Sequence, residues 1–492
     1  MEKITAADSR FAGLAGKRFN KRFSGNPEYI WLPTSTQEVV EAVQEAVLNK
    51  RRVVVRSGGH CLENFVSDPA VQVLIDISLM TGIYYDADKA AIAIEAGATV
   101  GEMYRRLFLN WGVFIPAGEY PEIGMGGHIP GGAFGFHCRE YGLAADHLYA
   151  IELVTVDASG KVQCVIATRE DNDPNRELWW AHTGGGAGNF GIVTRFWFRS
   201  AGVTGTDPVT ALPKAPASVT SFRLGWDWQS IEETMFFRLV RNFGEWCYQN
   251  SRPDSPSTQL FSLLFLNHRA LGRIEMKGLS TSVNAAQLIN EHLASIADPV
   301  GFPYTLQTET LPWLDFVLNP FPELFKGIDN VQAKAKDAFL RRPLEDSQIA
   351  TVYKYLTTET FVGGGLGMAT YGGKVNSIPP NATASAQRDS IMDIACNAGW
   401  GDPMQEASTV SWARNFYKEL FADTGGVPAP NGQADGCMIN HPDTDLAEPL
   451  LNQSGIPWYT LYYKENYPRL QKVKSQWDPL DIFHHALSVK AK

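Results

Sequence analysis

Arg56-Ser57-Gly58-Gly59-His60 follows a short apolar run, Val53-Val54-Val55. Three β-branched residues in succession predict a buried strand. His60 therefore stands just past a strand end, on a pair of glycines. Glycine admits positive φ and lets backbone approach a ligand closely. An imidazole in that setting can be a metal ligand, a base, a nucleophile toward an electrophilic cofactor, or a loop histidine with a satisfied hydrogen bond. The pentapeptide alone leaves these readings open.

Outward from it, the chain alternates strand and helix. Residues 35–50 read as a helix capped by Ser35 or Thr36, with Val39, Val40, Val43 and Val47 at helical spacing. Residues 71–76, 91–94 and 150–156 read as strands, and 100–111 as a helix with Thr99 as its cap. Two glycine-rich stretches stand out, Gly124–Gly135 (GMGGHIPGGAFG) and Thr183–Gly191 (TGGGAGNFG). Backbone N–H groups without side chains in the way suit a pyrophosphate, although glycine-rich turns at sheet ends look the same. Neither stretch is GxGxxG between strand and helix, and neither is a P-loop, which excludes a simple Rossmann or kinase site. Residues 203–218 turn to Pro, Thr and Gly, as a linker does. Beyond them, strands (260–266) and amphipathic helices (231–243, 282–296) predict a second domain. The tail segment 458–467 (WYTLYYKENY) reads as a strand whose tyrosines either pack the core or contact a planar cofactor. Trp228, Trp313, Phe316 and Trp412 fit an aromatic or sugar pocket and fit core packing equally.

At 492 residues the chain exceeds one ordinary core. A formal net charge of −10 argues against nucleic acid or an anionic membrane surface as the main partner. No run approaches the roughly 18 apolar residues of a membrane span, and the N-terminus lacks an apolar h-region. The six cysteines are scattered without CxxC, which predicts isolated thiols in a reducing cytoplasm and no metal site.

Five blocks carry a family resemblance: Arg56–His60, Ala117–Gly135, Trp179–Thr194, Tyr371–Asn376 (YGGKVN) and Asn466–Pro479 running on to Phe483. Their order and spacing span nearly the whole chain. Together they resemble the berberine-bridge-enzyme group of the vanillyl-alcohol-oxidase superfamily, the FAD-linked oxidases, and in particular its tailoring-oxidase branch. The resemblance implies an α+β, two-domain, PCMH-type fold. Its FAD domain comes from both chain ends (1–202 and 451–492), and residues 203–450 form a substrate domain with an antiparallel sheet. It implies FAD bonded covalently to His60. The cofactor would be surrounded by Arg56, Ser57, Gly58, Gly59, Tyr120, Gly124, Gly126, Gly127, His128, Gly132, Gly188, Asn189, Gly191, Ile192, Val193, Tyr463 and Asn466.

Three departures from the family pattern follow. Where doubly linked members have Ala-Gly-x-Cys-Pro, this chain has Ala117-Gly118-Glu119-Tyr120-Pro121, so the second, cysteinyl link is expected to be absent. Cys138, further along that loop, is expected to make none. The tyrosine pair used as base and helper in the tailoring branch falls at Ala369 and His441. Histidine, with an ordinary pKa of about 6.5, then becomes the leading base, with Tyr371 and Tyr463 as fallbacks. Ile123 occupies the position that gates oxygen, where valine is the oxygen-reactive form and isoleucine resembles the slow one.

The implied function is an FAD-dependent oxidoreductase acting on a C–H or alcohol, or closing a ring oxidatively. The substrate would be a polyketide, glycoside or alkaloid-like natural product, or its sugar, with molecular oxygen or another acceptor taking the electrons. The alternatives are a redox-neutral cyclase or isomerase that keeps the flavin as scaffold, and a flavin-carrying binding protein without turnover.

Overall fold

The computed structural model describes residues 2–322, 331–359 and 363–492. Its strands form three sheets. The first is four-stranded, in the order β1-β2-β4-β3: β1 (Glu2–Thr5), β2 (Tyr29–Leu32), β3 (Val53–Arg56) and β4 (Val73–Asp76). Here β4 pairs parallel with both β2 and β3. The second is five-stranded and antiparallel, in the order β5-β6-β9-β7-β8: β5 (Ile83–Asp86), β6 (Ala91–Glu95), β7 (Leu148–Val156), β8 (Val162–Thr168) and β9 (Ile192–Phe198).

The local chemistry matches the sequence expectations. The helix Thr36–Leu48 starts at Ser35, whose hydroxyl accepts the Glu38 N–H at 3.3 Å. The helix Val100–Trp111 opens on a capping box between Thr99 and Glu102 and closes on Gly112 at φ 66°. Such a cap stabilises by about 1 kcal/mol.

The third sheet is seven-stranded and antiparallel. Its order is β13-β10-β12-β11-β15-β16-β14, with β10 (Ser218–Asp227), β11 (Leu260–Asn267), β12 (Arg273–Ser280), β13 (Gln307–Pro312), β14 (Gln332–Leu340), β15 (Gly364–Thr370) and β16 (Met392–Trp400). The period of two decides which side chains go where. Leu264, Leu366, Ile394 and Cys396 are buried, and the helix Glu406–Leu420 packs on β16 and β14. The alternate residues Leu263, Phe265, Gly367, Ala369, Asp393, Ala395 and Asn397 line a cavity. Trp228, Trp313, Phe316 and Trp412 line no part of it. Trp313 sits in an aromatic cluster with Tyr104, Phe108 and Phe114, and Trp228 stacks on Phe236 at 5.5 Å, so packing explains them. The 203–218 segment is tied down along its second half. Phe114 N–H donates to Pro213 O at 3.0 Å and Ala215 N–H to Gly112 O at 3.0 Å.

One expected strand is a helix. Residues Trp458–Tyr463 and Tyr467–Trp477 are α-helical, joined by a single 3-10 turn. The aromatic residues recur every four positions, not every two: Tyr459, Tyr463 and Tyr467 stack on one face, with Tyr459 and Tyr467 rings 3.9 Å apart. Pro457 and Pro468 precede or open the two helices, where a missing N–H costs nothing. β-propensity of the aromatic residues pointed the wrong way because tertiary packing overrides it.

The tail closes back on the N-terminal half. Lys474 is fully buried, and its ammonium donates to Asn189 O (2.8 Å), Phe483 O (2.8 Å) and Asp478 Oδ2 (2.6 Å). Through Asn189 it fixes the Thr183–Gly191 loop to the last helix.

Candidate active site

A large cavity, about 520 Å³, runs between the N-terminal half and the seven-stranded sheet. Its first end is built of glycine-rich turns. Gly58 and Gly124 stand back to back, so a Cβ on either would overlap the other's amide nitrogen. Gly59 takes φ +80° and Gly188 φ +71°. A Cβ on Gly126 would come within 2.8 Å of Ala96 O, whereas Gly127 faces open space. Two backbones touching without side chains, beside open volume, make a cradle that fits the phosphates and ribityl chain of a dinucleotide. His60 faces this cavity, with its ring 4.9 Å from Phe19 and 5.0 Å from Tyr120.

The expected cofactor residues divide into two groups. Arg56, Ser57, Gly58, Gly59, His60, Tyr120, Gly124, Gly126, Gly127, His128, Gly188, Gly191 and Val193 line the cavity. Gly132, Asn189, Ile192, Tyr463 and Asn466 do not; they support its walls. Asn466 Nδ2 donates to Pro380 O at 2.8 Å, and Asn189 Nδ2 to Gly185 O at 2.9 Å. Arg56 reaches the wall, but its guanidinium is held by Asp76 (Nε 3.0 Å, Nη2 2.5 Å) and Lys17 O (3.0 Å). It orders the β3 end rather than offering a free charge. His128 Nε2 accepts the Gly118 N–H at 2.8 Å, and burial pushes its pKa down to about 3, so the ring is neutral and shapes the Gly118 turn. Cys138 is buried outside the cavity. Cys61 lines it, but burial pushes that thiol up to about 11, away from the reactive thiolate. Phe65, Phe483, His484 and His485 also line this end. Sequence reading missed them because Phe65 and His485, stacked at 3.9 Å, meet only when the tail folds back.

The second end holds a cluster of titratable groups on the sheet. His441 lies on the segment after Cys437, with Nδ1 3.7 Å from Asp337 Oδ2. Asp337 (β14) and Asp393 (β16) are both buried, and one carboxylate oxygen of each lacks a hydrogen-bond partner. The donor atoms of Asp337, Asp393 and His441 all lie within 4.8 Å of one another. Glu119 faces the same space. Burial opposes the His441 cation, yet Asp337, Asp393 and Glu119 outweigh it and raise the pKa to about 9. Burial raises Asp393 to about 8 and Glu119 to about 7, each partly offset by His441.

The segment carrying His441 is itself anchored. Lys334 bonds Glu63 and Asp443 at 2.6 Å each, Lys336 bonds Asp443 and Asp445, and Arg414 bonds Asp445 at 2.7 Å. Asn440 bridges to the glycine loop, donating to His128 O and accepting the Ala133 N–H.

Tyr371 and Tyr463 do not reach the cavity. Tyr371 is buried behind Phe134 and Phe339, and Tyr463 donates to Gly185 O at 3.1 Å. Burial holds both phenols well above their ordinary pKa, so neither serves as a base near neutrality.

The proton load has a stability consequence. Asp393 keeps a proton up to about pH 8, which the unfolded chain releases near 3.8, so its contribution falls as pH rises across that window. The His441 cation contributes fully below 6.5 and is lost as pH rises through about 9. The thermal unfolding midpoint is therefore expected to decline from neutral pH toward about 9. Asp393→Asn should flatten that decline, as scanning calorimetry across the range would show.

Comparison with known proteins identifies the family. The family profile described as an FAD binding domain matches residues 27–165, and the one described as berberine and berberine like matches 437–490. The chain is 48% identical to aclacinomycin-N/aclacinomycin-A oxidase of Streptomyces galilaeus, over 99% of this chain and 89% of that one. It is 28% identical to hexose oxidase of Chondrus crispus, over 96% and 92%. Among solved structures, aclacinomycin oxidoreductase superposes with a TM-score of 0.97, covering 100% of this chain and 99% of that one at 48% identity. A glycopeptide hexose oxidase complexed with teicoplanin superposes at 0.94, covering 99% and 98% at 42% identity. With its two-ended cavity, its glycine cradle and these relatives, the chain belongs to the berberine-bridge-enzyme-like, PCMH-type FAD-linked oxidases and is an FAD-dependent oxidoreductase.

Proposed function

We propose that the protein oxidises an alcohol or activated C–H bond of a natural product or of a sugar attached to one, using FAD singly attached through His60. The observation that carries this reading is one cavity with a glycine cradle and His60 at one end and a titratable cluster at the other. Bound FAD supplies a two-electron acceptor for hydride. The chain's own residues do the rest. Gly58, Gly59, Gly124 and Gly127 leave room for the phosphates, and the Leu263–Phe265 and Gly367–Ala369 surfaces form a floor on which a ring can lie. The Asp337–Asp393–His441 cluster manages the substrate proton. No side chain crowds the floor at Gly367, where an added Cβ meets only Ala395 O at 3.9 Å. That space suits a bulky glycoside rather than a small alcohol. Molecular oxygen or another acceptor then takes the electrons; Ile123 lines the cavity beside Gly118.

The test is anaerobic mixing of the holoprotein with aclacinomycin N and, separately, with D-glucose. Aclacinomycin N should bleach the oxidised flavin band, with one two-electron equivalent per flavin, and D-glucose should bleach it far more slowly. Product formation with the band unbleached throughout would support a redox-neutral cyclase or isomerase instead. Neither bleaching nor product with a wide glycoside panel would sink the proposed substrate class.

A further inference from the structure

The sheet register exposes a carboxylate that sequence reading did not single out. Asp393 pairs across the ladder with Ala369 on β15 and with Phe339 on β14, while Asp337 pairs with Ala395. Directly opposed residues on one face have Cβ atoms about 5 Å apart. Ala369 offers only a methyl group at that point, so nothing covers the Asp393 carboxylate from the β15 side, and it faces the cavity. One of its oxygens has no hydrogen-bond partner, which is costly for a buried acid unless a substrate group or a proton occupies it. His441 lies alongside, held by Asp337, which lies behind the cavity wall.

We propose that Asp393 is the catalytic residue that accepts the substrate proton, and that Asp337 is a positioning residue that holds His441 beside it. The proposal rests on the oxidative reading above and moves the base role from His441 to its neighbour. In the step, the substrate C–H and O–H bonds break and a C=O bond forms. The hydride pair goes to bound FAD and the proton to the Asp393 carboxylate, which becomes a carboxylic acid and later returns the proton to water. The His441 cation stabilises the ionised carboxylate before transfer and the developing substrate oxyanion during it.

The groups facing Asp393 are His441 from the 437–442 segment, Asp337 from β14 and Glu119 from the 117–121 turn; β15 presents only Ala369. Asp393 is raised to about 8, which matches a base that ionises just above neutrality, whereas His441 at about 9 is already protonated there.

The test has two arms on the holoprotein. The first needs no substrate: infrared difference spectra from neutral to alkaline pH should show a buried carboxylic acid C=O band titrating near 8. Asp393→Asn should remove it and Asp337→Asn should leave it. In the second, anaerobic flavin reduction by aclacinomycin N should accelerate with pH through the same midpoint. Asp393→Asn should slow it about 100- to 10,000-fold with flavin content and ligand-induced flavin shifts intact, and Asp393→Glu should restore part of the rate. His441→Gln should keep the pH limb and move it to higher pH. The proposal is overturned if no such band titrates, or if Asp393→Asn keeps the rate and limb that His441→Gln loses. If the wild type is not reduced at all, the substrate reading has failed, and the infrared arm alone then decides whether Asp393 holds the proton.

Discussion

Lys474→Met is expected to destabilise the protein by about 3–5 kcal/mol, the range seen when one partner of a buried ion pair is removed. Lys474 and Asp478 are both inaccessible, and the ammonium also satisfies the carbonyls of Asn189 and Phe483. Without it, Asp478 keeps its bonds to the Ile482 and Phe483 N–H groups but loses its counter-ion in a dry setting. Burial already pushes the Asp478 pKa up, so the unpaired acid would take up a proton or open the tail. The loss propagates, because Asn189 belongs to the glycine loop at the flavin end of the cavity. Denaturant unfolding with flavin release as a second probe would check this. The double variant Lys474→Met, Asp478→Leu should not recover the loss, because the Ile482 and Phe483 N–H groups and the Asn189 and Phe483 carbonyls are then left without partners. Unchanged stability in the single variant would show that the tail does not clamp the loop.

The second large effect is on cofactor attachment. Acid-precipitated, washed wild-type protein should stay yellow, and His60→Ala should release all its FAD to the supernatant. His60 faces the cavity at the end of β3, and Arg56, clamped by Asp76, fixes the direction in which the chain leaves that strand. Tyr120 stands where doubly linked relatives are expected to carry cysteine, and burial pushes the thiols of Cys61 and Cys138 up. A single mutation should therefore abolish covalent flavin entirely. Yellow precipitate from His60→Ala would mean that another residue makes the bond. FAD in the wild-type supernatant would mean that none does.

The glycine-cradle end of the cavity was legible because it is local. Val53–Arg56 followed by Ser-Gly-Gly-His, and the two glycine loops, encode strand ends and positive-φ turns within a few residues of chain, and thirteen of the expected residues line the cavity. The supporting residues Asn189, Tyr463 and Asn466 read as contacts although they lie one layer behind. Sequence proximity does not tell a wall from its backing. The tail at 458–467 was misread because aromatic residues favour strands on average, while stacking at four-residue spacing selected a helix here.

Residue patterning alone settled the alternating strands and helices of the N-terminal half and their caps and turns, and the resemblance carried by the motif blocks implied the α+β class, the FAD domain and His60 as the residue to test for attachment. Such local elements depend on hydrophobic period, glycine geometry and hydrogen bonds between near neighbours. The tertiary structure alone decided the carboxylate–histidine end of the cavity. Asp337, Asp393 and His441 lie on three separate segments, and only the register of β14, β15 and β16 sets Asp393 opposite Ala369 and brings His441 against Asp337. Their proton affinities follow from burial and mutual charge, which exist only once those segments have met.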